Sequence, residues 1–499
     1  MYLGIDLGTS SVKLILLDEQ KRLVGQCSKV LTLSHPKLLW SEQNPDDWWD
    51  ATCQGMTTLK QEYTKEFSSI KAIGLSGQQH GATLLDKNGK VLRPAILWND
   101  GRANVECEEI IAKVPHYAEI IGARMMPGFT APKLLWVLKH EPEIFYRTAK
   151  IVLPKDYLRF KMTGIVATDM SDASGTGWLS IAKRAWSDEM LSACHLTQKK
   201  MPALFEGTDI TGTLLEEIAE QWGLPISTLV IAGGGDNPAA AISMNIIEEG
   251  SAFLSLGTSG VYFVASDSYK THPEGGVHSF CHSLPNRWHH MTVHLSAASS
   301  LNWLANTLQV SEKELLREAE ETPMSHENIV FLPYLSGERS PHNNPFARGV
   351  FFGISPQTKR ADLTRAVLEG VAFAFADGQD AMLTADIAIK NVYVVGGGAQ
   401  SFYWGKILSS ILNRRLIYSE DREIGGAVGA ARLAWLALHQ KEATHAFDMP
   451  IIQTIIEPDH HLVELYSAKR KIFSALYQQL IPVFHAAISI KTHEEHTYA

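Results

Sequence analysis

The strongest constraint on the fold is a short turn that occurs twice in the sequence. The segments YLGIDLGTSSVKL and SAFLSLGTSGVYF each place Leu-Gly-Thr-Ser between two stretches of alternating apolar residues. Such alternation is typical of half-buried β-strands, and Gly, Thr and Ser favour a tight turn between them. In the first copy, a polar DEQKR turn leads into a third strand. The repeat predicts two domains built on the same plan, each opening with a meander.

The length and the remaining pattern agree with this prediction. A chain of 499 residues exceeds what one hydrophobic core usually supports. Helical stretches such as PKLLWVLKHEPEIF alternate with strand-like runs such as KAIGLSG, AILW and STLVIAGGG, which predicts α/β layers. No Pro/Ser-rich linker separates the halves, and we expect the boundary near residues 245–252. We predict a first domain at 1–248, a second at 249–440 and an extension at 441–499, with a ligand cleft between the two domains.

The extension is predicted to be a helix packed on the second domain. Its apolar residues fall on or near one helical stripe, as an amphipathic surface helix requires. They are Leu462, Leu465, Tyr466, Ile472, Phe473, Leu476, Tyr477 and Leu480.

Charge and composition exclude several function classes. The chain carries 45 Lys and Arg against 54 Asp and Glu. No stretch has the block of about five or six basic residues that a nucleic-acid or anionic-membrane site would show. No apolar run approaches the roughly 20 residues that span a membrane. We expect a soluble protein that acts on a small polar molecule, with no nucleic-acid or membrane partner.

Cysteine usage points to a reducing compartment. Five cysteines stand singly along the chain, at Cys27, Cys53, Cys107, Cys194 and Cys281. They form neither a disulfide framework nor a C-x-x-C spacing. Met1 leads directly into a strand pattern, without the basic segment and cleavage site of a secretory signal. We therefore predict a cytoplasmic protein.

Three glycine-containing turns are candidate nucleotide-binding elements. The first lies between two strands, so it is not a P-loop, but its backbone N–H groups and hydroxyls suit phosphate oxygens, and Lys13 adds charge. An ordinary hairpin turn is the alternative for either Leu-Gly-Thr-Ser copy alone. In VVGGGAQS, three glycines follow a strand and would let the backbone approach a flat adenine. The residues are Gly8, Thr9, Ser10, Ser11, Gly257, Thr258, Ser259, Gly260, Gly396, Gly397 and Gly398.

Two carboxylates are candidates for the chemistry. Asp6 lies on the first strand, where a buried carboxylate is costly without a partner such as a cation, which makes Asp6 a candidate Mg²⁺ ligand. Asp236 follows an apolar strand and three glycines, and it is a candidate base for phosphoryl transfer. Asn237 and Pro238 have the sequence of an N-cap and first turn, so Asp236 as a simple helix-capping residue is the alternative.

A family resemblance rests on several motifs in a fixed order. GIDLGTS, GQQHGA, GGGDN, SLGTSG and VGGGA follow one another, and two longer patterns accompany them: GFTAPKLLWVLKH, with Lys133 and Trp136, and the segment from Gly349 to Gly370. With these motifs the chain resembles the FGGY carbohydrate kinases over nearly its full length. The resemblance is strongest to members that phosphorylate D-xylulose.

The resemblance implies an α/β fold of two RNase H-like domains of the actin/Hsp70 type, with sugar mainly on the first and ATP mainly on the second. It implies that Asp236 is the catalytic base and that Asp6 is an essential carboxylate near Mg²⁺. Relatives suggest a homodimer. It assigns Thr9 and Thr258 to phosphate contacts and Gly398 to the nucleotide-binding turn. The glycine-containing turns themselves add the candidate nucleotide-binding residues Ser10, Ser11, Lys13, Gly257 and Gly397.

The sugar specificity is expected to depend on GQQHGA. In the family members that use D-xylulose, the positions of Gln79 and His80 contact the sugar, whereas glycerol-specific members carry an Arg-Glu pair there. Asn237 is expected to contact the sugar beside Asp236, and the resemblance also assigns Trp98, Asn99 and Asp100 to the cleft. From the residues alone, His80 as an internally satisfied loop residue stays open. A kinase for another sugar or polyol, or an ATP-driven protein of the actin/Hsp70 kind, are the alternative functions.

The segment HSFCHSLPNRWHHMTVH is the remaining cluster of possible metal ligands. It has the pattern of two strands around a polar LPNR turn. Such a hairpin would scatter the side chains over both faces, and their spacing matches no zinc template. We therefore expect a structural hairpin.

Overall fold

The computed structural model describes residues 1–324, 328–420, 425–439, 446–447 and 450–495. The strands of the first half are Tyr2–Leu7 (β1), Ser11–Leu17 (β2), Leu23–Val30 (β3), Glu42–Gln43 (β4), Ala72–Gly77 (β5), Thr83–Leu85 (β6), Ala95–Ile96 (β7), Lys150–Val152 (β8), Ala167–Asp169 (β9), Leu179–Ser180 (β10), Ala185–Trp186 (β11), Ala203–Phe205 (β12), Ile210–Thr213 (β13), Leu229–Ile231 (β14) and Gly234–Gly235 (β15). Its helices are Pro45–Glu62 (α1), Thr64–Phe67 (α2), Asn104–Lys113 (α3), Tyr117–Ile121 (α4), Thr130–His140 (α5), Pro142–Arg147 (α6), Pro154–Thr163 (α7), Met170–Ser174 (α8), Asp188–Ala193 (α9), Glu216–Trp222 (α10) and Asp236–Ser243 (α11).

The second half follows the same alternation. Its strands are Ala252–Leu256 (β16), Gly260–Ser266 (β17), His278–Cys281 (β18), Trp288–His294 (β19), Val330–Leu332 (β20), Val350–Phe352 (β21), Val392–Val395 (β22), Leu416–Ser419 (β23) and Ile452–Ile456 (β24). Its helices are Ala298–Leu308 (α12), Glu312–Glu321 (α13), Arg360–Thr384 (α14), Phe402–Leu412 (α15), Gly426–His439 (α16) and His460–Glu495 (α17). Within the described ranges, no helix combines the length and apolar character needed to cross a membrane.

The two large sheets share one plan. The first has the order β13-β14-β5-β1-β2-β3, with β15 also paired to β5, and the second has the order β18-β19-β17-β16-β22-β23-β24. In the first, β1, β2 and β3 form an antiparallel meander, and β5 runs parallel to β1. In the second, β17 is antiparallel to both β16 and β19, with β18 inserted between β17 and β19 in the chain, and β22 runs parallel to β16. The duplication predicted from the repeated turn is therefore present.

One helix of the second half packs on the first sheet. Helix α16 lies against β1 and β5, and it crosses α11. Glycines allow this approach: a Cβ on Gly4 would overlap the carbonyl oxygen of Ala427, and a Cβ on Gly429 would overlap that of Ala239. The crossing of α11 and α16 joins the two halves beside the cleft.

The end of the chain differs in part from its prediction. Residues 452–456 form β24, which completes the second sheet beside β23, where only helix was expected. Helix α17 buries Tyr466, Phe473 and Tyr477 in the core of the second half. Leu465 and Ile472, which were assigned to the same stripe, are exposed, so that part of the prediction was wrong. The predicted boundary at residues 440–441 lies outside the described residues.

Candidate active site

Sheet register brings Asp6 and Asp236 to one edge of the first sheet. Strands β1 and β15 both run parallel to β5, with Asp6 opposite Ser76 and Gly235 opposite Gly77. Because parallel strands end at the same edge, the residue after β15, Asp236, lies near Asp6. Helix α11 begins at Asp236, two residues before the predicted first helical residue Pro238, since Gly235 and not Asn237 occupies the N-cap position. The edge faces the cleft between the two halves.

The environment of the two carboxylates shifts their proton affinities. Burial, and then the charge of Asp6, raise the pKa of Asp236 to about 7, against hydrogen bonds from Asn237 that lower it. These bonds come from the backbone N–H at 2.7 Å and the side-chain amide at 3.1 Å. Burial also raises the pKa of Asp6, opposed by a 2.9 Å hydrogen bond from the Ser76 hydroxyl and by the charge of Lys13. Asp236 thus changes its charge near neutral pH.

A buried ionic cluster braces the turn before Asp236. The backbone N–H of Gly235 donates to the Ser171 hydroxyl at 3.0 Å, and this hydroxyl donates to Asp169. Asp169 in turn pairs with Lys155 at 2.7 Å, and both side chains are fully buried. Sequence reasoning did not identify this support. The charged residues within the otherwise apolar segments around Lys155 and Asp169 were its only signal.

The first Leu-Gly-Thr-Ser turn is closed by backbone and held by side chains. The N–H of Gly8 donates to the carbonyl oxygen of Ser11 at 2.9 Å. The Thr9 hydroxyl donates to Gln78 and accepts from the Trp98 indole N–H, each at 3.0 Å. Gln43 donates to the Thr9 carbonyl oxygen at 2.7 Å. The side chain of Thr9 therefore takes part in a first-half hydrogen-bond network, which the sequence did not reveal.

The residues around this turn differ in their exposure and in their partners. Ser10 is exposed, and Lys13 lies opposite Asp6 in the β1–β2 register. Trp98 contacts the turn as described. Asp100, by contrast, is buried and pairs with Arg102 at 2.7 Å, so its carboxylate is engaged within the first half. Asn99 is exposed.

Gln79 and His80 occupy different positions in the wall of the cleft. Gln79 is buried, donates to the Ser171 carbonyl oxygen at 3.1 Å and packs against Gly235. His80 has a left-handed backbone with φ of 69°, and its Nδ1 lies 2.6 Å from the carbonyl oxygen of Gly175. Its ring stacks on Phe129 with 5.0 Å between ring centres. Burial lowers the pKa of His80 to about 3, so its imidazole is neutral.

The second and third turns meet in the second half. The carbonyl oxygens of Gly257 and Thr258 accept from the first N–H groups of the α12 region, at 2.8 and 3.0 Å. Gly396 has φ of 93°, and a Cβ there would lie 2.7 Å from the Leu256 carbonyl oxygen. A Cβ on Gly397 would meet nothing within 4 Å. Gly397 thus borders open space.

A cavity of about 1140 Å³ lies between helix α11 and the third turn. It extends from Asn237, beside Asp236, to Gly396 and Phe402, with Ser255 and Tyr418 on its walls. A second cavity, of about 850 Å³, lies between α14, α15 and α17 and contains none of the predicted site residues. The larger cavity is therefore the candidate nucleotide site.

The histidine-rich segment forms the predicted hairpin, because β18 and β19 pair in antiparallel fashion. Burial lowers the pKa of His278, His282 and His290 to about 3. In the part of the chain that the structure describes, no three His, Cys, Asp or Glu side chains are grouped to hold a metal ion. The segment is a structural element of the second sheet.

Comparison with known sequences identifies the family. The N-terminal domain model of the FGGY family of carbohydrate kinases matches residues 1–243, and the C-terminal domain model matches residues 252–438. The chain is 51% identical to the xylulose kinase of Escherichia coli (strain K12) over 486 residues, covering 97% of this chain and 100% of that protein. It is 38% identical to the xylulose kinase of Bacillus subtilis (strain 168), covering 87% of each.

Solved structures agree. A xyloylose kinase from Brucella ovis matches with a TM-score of 0.93 and 45% identity, over 97% of this chain and 99% of that one. The xylulose kinase from Rhodospirillum rubrum matches with a TM-score of 0.91 and 29% identity, over the same shares. With the two duplicated sheets, these matches confirm the predicted α/β fold of two actin/Hsp70-type domains. The chain belongs to the FGGY family of carbohydrate kinases.

Proposed function

We propose that this carbohydrate kinase transfers the γ-phosphate of ATP to the terminal hydroxyl of D-xylulose, giving D-xylulose 5-phosphate and ADP. The carrying observation is the position of Asp236, which lies beside Asp6 and directly precedes Asn237, a residue that lines the large cavity. The choice of sugar rests on relatives named xylulose kinase at 51% and 38% identity. We expect the protein to act as a homodimer in the cytoplasm. Its product would serve xylose use and the pentose phosphate pathway.

Asp236 is the proposed general base. A base works best when its pKa lies near the working pH, and burial beside Asp6 raises the pKa of Asp236 to about 7. The Asn237 hydrogen bonds fix the carboxylate, which leaves one of its oxygens to accept the proton of the sugar hydroxyl. Removing this proton as the oxygen attacks the phosphorus in line is the chemical task of the residue.

The residues fit MgATP. The space at Gly397 admits a flat base, and the second turn offers backbone N–H groups to phosphate oxygens. Asp6 is the proposed carboxylate near Mg²⁺, a cation that usually binds through one or two carboxylates together with substrate phosphates. Bound Mg²⁺ would neutralise charge on the β- and γ-phosphates. Thr9, Ser10, Ser11, Lys13, Gly257, Thr258, Gly397 and Gly398 are the proposed nucleotide contacts.

The first half is the proposed sugar domain, at residues 1–248, and residues 249–440 are the proposed nucleotide domain. His80 and Asn237 supply polar groups to the sugar. Gln79 supports the site from behind, through its contact with Gly235. Closure of the cleft would exclude water, which otherwise competes with the sugar hydroxyl for the phosphate.

The test is ATP turnover in a coupled ADP assay with D-xylulose, L- and D-ribulose, L-fuculose, gluconate, glycerol and no sugar. We expect strong, selective stimulation by D-xylulose. Stimulation by another sugar instead would overturn the substrate and keep the kinase. ATP hydrolysis that is identical with and without every sugar would favour an actin/Hsp70-like ATPase.

A further inference from the structure

The loop between β20 and β21 presents one arginine at a fixed place. Ser340 donates its N–H to the Val293 carbonyl oxygen at 3.0 Å and accepts the Val293 N–H on its hydroxyl at 3.1 Å. The Glu338 carboxylate accepts the backbone N–H groups of Leu295 at 2.9 Å and Arg339 at 2.7 Å. Both neighbours of Arg339 are thus tied down. The backbone of Arg339 is therefore anchored to the second sheet.

The side chain of Arg339 points across the cleft to the first half. Its Cζ lies 5.9 Å from the centre of the Trp98 ring, whose indole N–H donates to Thr9. Burial, and then the charge of Arg339, lower the pKa of His278 to about 3. The same charge contributes to the low pKa of His80, after burial and the larger effect of the Lys133 charge. Arg339 is thus close to the wall that carries His80.

Within the described part of the chain, this guanidinium donates no hydrogen bond to another group. Among the residues that the structure describes, no side-chain or backbone oxygen accepts a hydrogen bond from it. The Glu338 carboxylate is near enough for its charge to act on Arg339, but its Oε1 accepts the backbone N–H groups of Leu295 and Arg339, and no hydrogen bond joins the guanidinium to either of its oxygens. Burial lowers the pKa of Arg339. A guanidinium has five N–H donors and no acceptor, and Arg339 is half-buried, so its donors are open to a ligand in the cleft. A ligand that offers oxygen acceptors can match them.

The neighbouring imidazole of His80 can accept a hydrogen bond, whereas the guanidinium of Arg339 can only donate. Because the Nδ1 of His80 faces the Gly175 carbonyl oxygen, Nδ1 carries the proton and Nε2 is left as an acceptor. A hydroxyl group can donate to Nε2. Arg339 instead requires an oxygen that accepts, and a carbonyl oxygen only accepts. In a 2-ketose this oxygen is on C2, far from the terminal hydroxyl assigned to Asp236.

We propose that Arg339 binds the C2 carbonyl oxygen of the ketose from the second domain. This inference rests on the proposed function and adds a residue that distinguishes ketoses from sugars without oxygen at C2. It also means that the sugar contacts both domains, so that a bound ketose favours the closed cleft. The nucleotide would be unaffected by this contact.

The test compares wild type with Arg339→Met on two substrates. One is D-xylulose, and the other is 2-deoxy-D-threo-pentitol, which keeps the terminal hydroxyl and lacks oxygen at C2. A charge-assisted hydrogen bond is typically equivalent to about 10- to 150-fold. We expect kcat/KM to fall by about this factor for D-xylulose and to change less than about threefold for the deoxy analogue. The KM for ATP should stay within about twofold.

Two controls separate the contact from general damage. Arg348→Met removes an exposed arginine of the same loop, which donates to the Pro345 and Ala347 carbonyl oxygens, and it should leave all constants unchanged. Arg339→Lys keeps the charge without the planar guanidinium and should give an intermediate loss of kcat/KM for D-xylulose. If the Met variant fails to fold, the Lys variant provides the test.

Equal losses of Arg339→Met on both substrates, or near-normal kcat/KM for D-xylulose, would overturn the inference. If wild type itself shows no turnover with D-xylulose, the proposed function fails first. If wild type is active and neither the Met nor the Lys variant discriminates between the two substrates, only the inference fails.

Discussion

In the first sheet the Leu-Gly-Thr-Ser turn follows Asp6, whereas in the second sheet the same turn follows Ser255. When the two LGTS motifs are aligned, Lys13 likewise corresponds to Tyr262. One copy of the plan therefore carries a charged pair across its first two strands, and the other carries neutral side chains. The two copies share the plan of the sheet, but both the side chains and the register beside the turn differ, since Asp6 lies opposite Lys13 whereas Ser255 lies opposite Val261.

The groups that hold the two turns in place also differ. Thr9 is held by the side chains of Gln78 and Trp98. Gly257 and Thr258 instead use their carbonyl oxygens on the start of α12. The comparison teaches that one sheet plan can carry either charged or neutral side chains beside the same turn motif.

The largest effect is expected from removing the base on the charged side. Asp236→Asn should lower kcat by about 10² to 10⁴-fold, because the amide cannot accept the proton. Binding of D-xylulose, measured by calorimetry, should persist. Asp50→Asn, an exposed position on α1, is the matched control. Near-normal turnover of Asp236→Asn would remove this residue from the chemistry.

Exchanging the residue that distinguishes the two turns is the next test. Asp6→Ser gives the first turn the residue of the second, and we expect kcat to fall by about 10² to 10³-fold, since charge stabilisation near the phosphates is lost. Ser76→Ala removes only a hydrogen bond to Asp6 and should cost less than about tenfold. Steady-state kinetics at saturating MgATP measure both. Equal effects of the two variants would contradict a charge role for Asp6.

The reverse exchange, which gives the second turn the residue of the first, should change only the KM for ATP. Ser255→Asp places a carboxylate on the wall of the large cavity, and repulsion of phosphate should raise the KM for ATP by about ten- to hundredfold. Ser255→Asn has nearly the same shape without charge and should stay close to wild type. The KM for D-xylulose is the internal reference. A change in that constant, with ATP unaffected, would assign the cavity to the sugar.

The smallest expected effect is a pH shift. Because the pKa of Asp236 is raised to about 7, its active, ionised form is lost as the pH falls, and kcat/KM should be about tenfold lower at pH 6 than at pH 8. Asp6 raises this pKa, so Asp6→Ser should move the midpoint of the profile to lower pH. The midpoint is measured from the pH profile of kcat/KM for the sugar at a fixed excess of MgATP. A midpoint that is the same in both proteins would show that the two carboxylates are not coupled.

Features set by neighbouring residues were predictable from the sequence. The LGTS turns, the strand before Asp236 and the histidine-rich hairpin depend on local periodicity and turn chemistry. The predicted helix PKLLWVLKHEPEIF was nearly correct, although it divides into α5 and α6 with Pro142 at the first position of α6. The duplicated plan followed from the repeat of these local signals.

Features set by distant residues were not predictable. Ser76 meets Asp6, and Gln78 meets Thr9, only because β5 pairs with β1. Strand β24 forms because the edge of β23 is available to pair with it, and no strong alternation marks its residues. The brace of Gly235 by Ser171 depends on tertiary packing in the same way.

Helix α16 shows that the limits of a sequence motif and of a folding unit need not coincide. A polypeptide of residues 1–248 alone would leave the faces of β1 and β5 bare where α16 normally covers them. If the chain were expressed as two separate fragments, residues 1–248 and the remainder, α16 of the second fragment would dock onto this face of the first. The two fragments would then complement each other. The glycines at the crossing, Gly4, Gly74 and Gly429, make the fit of that docking selective, since any larger side chain would block it.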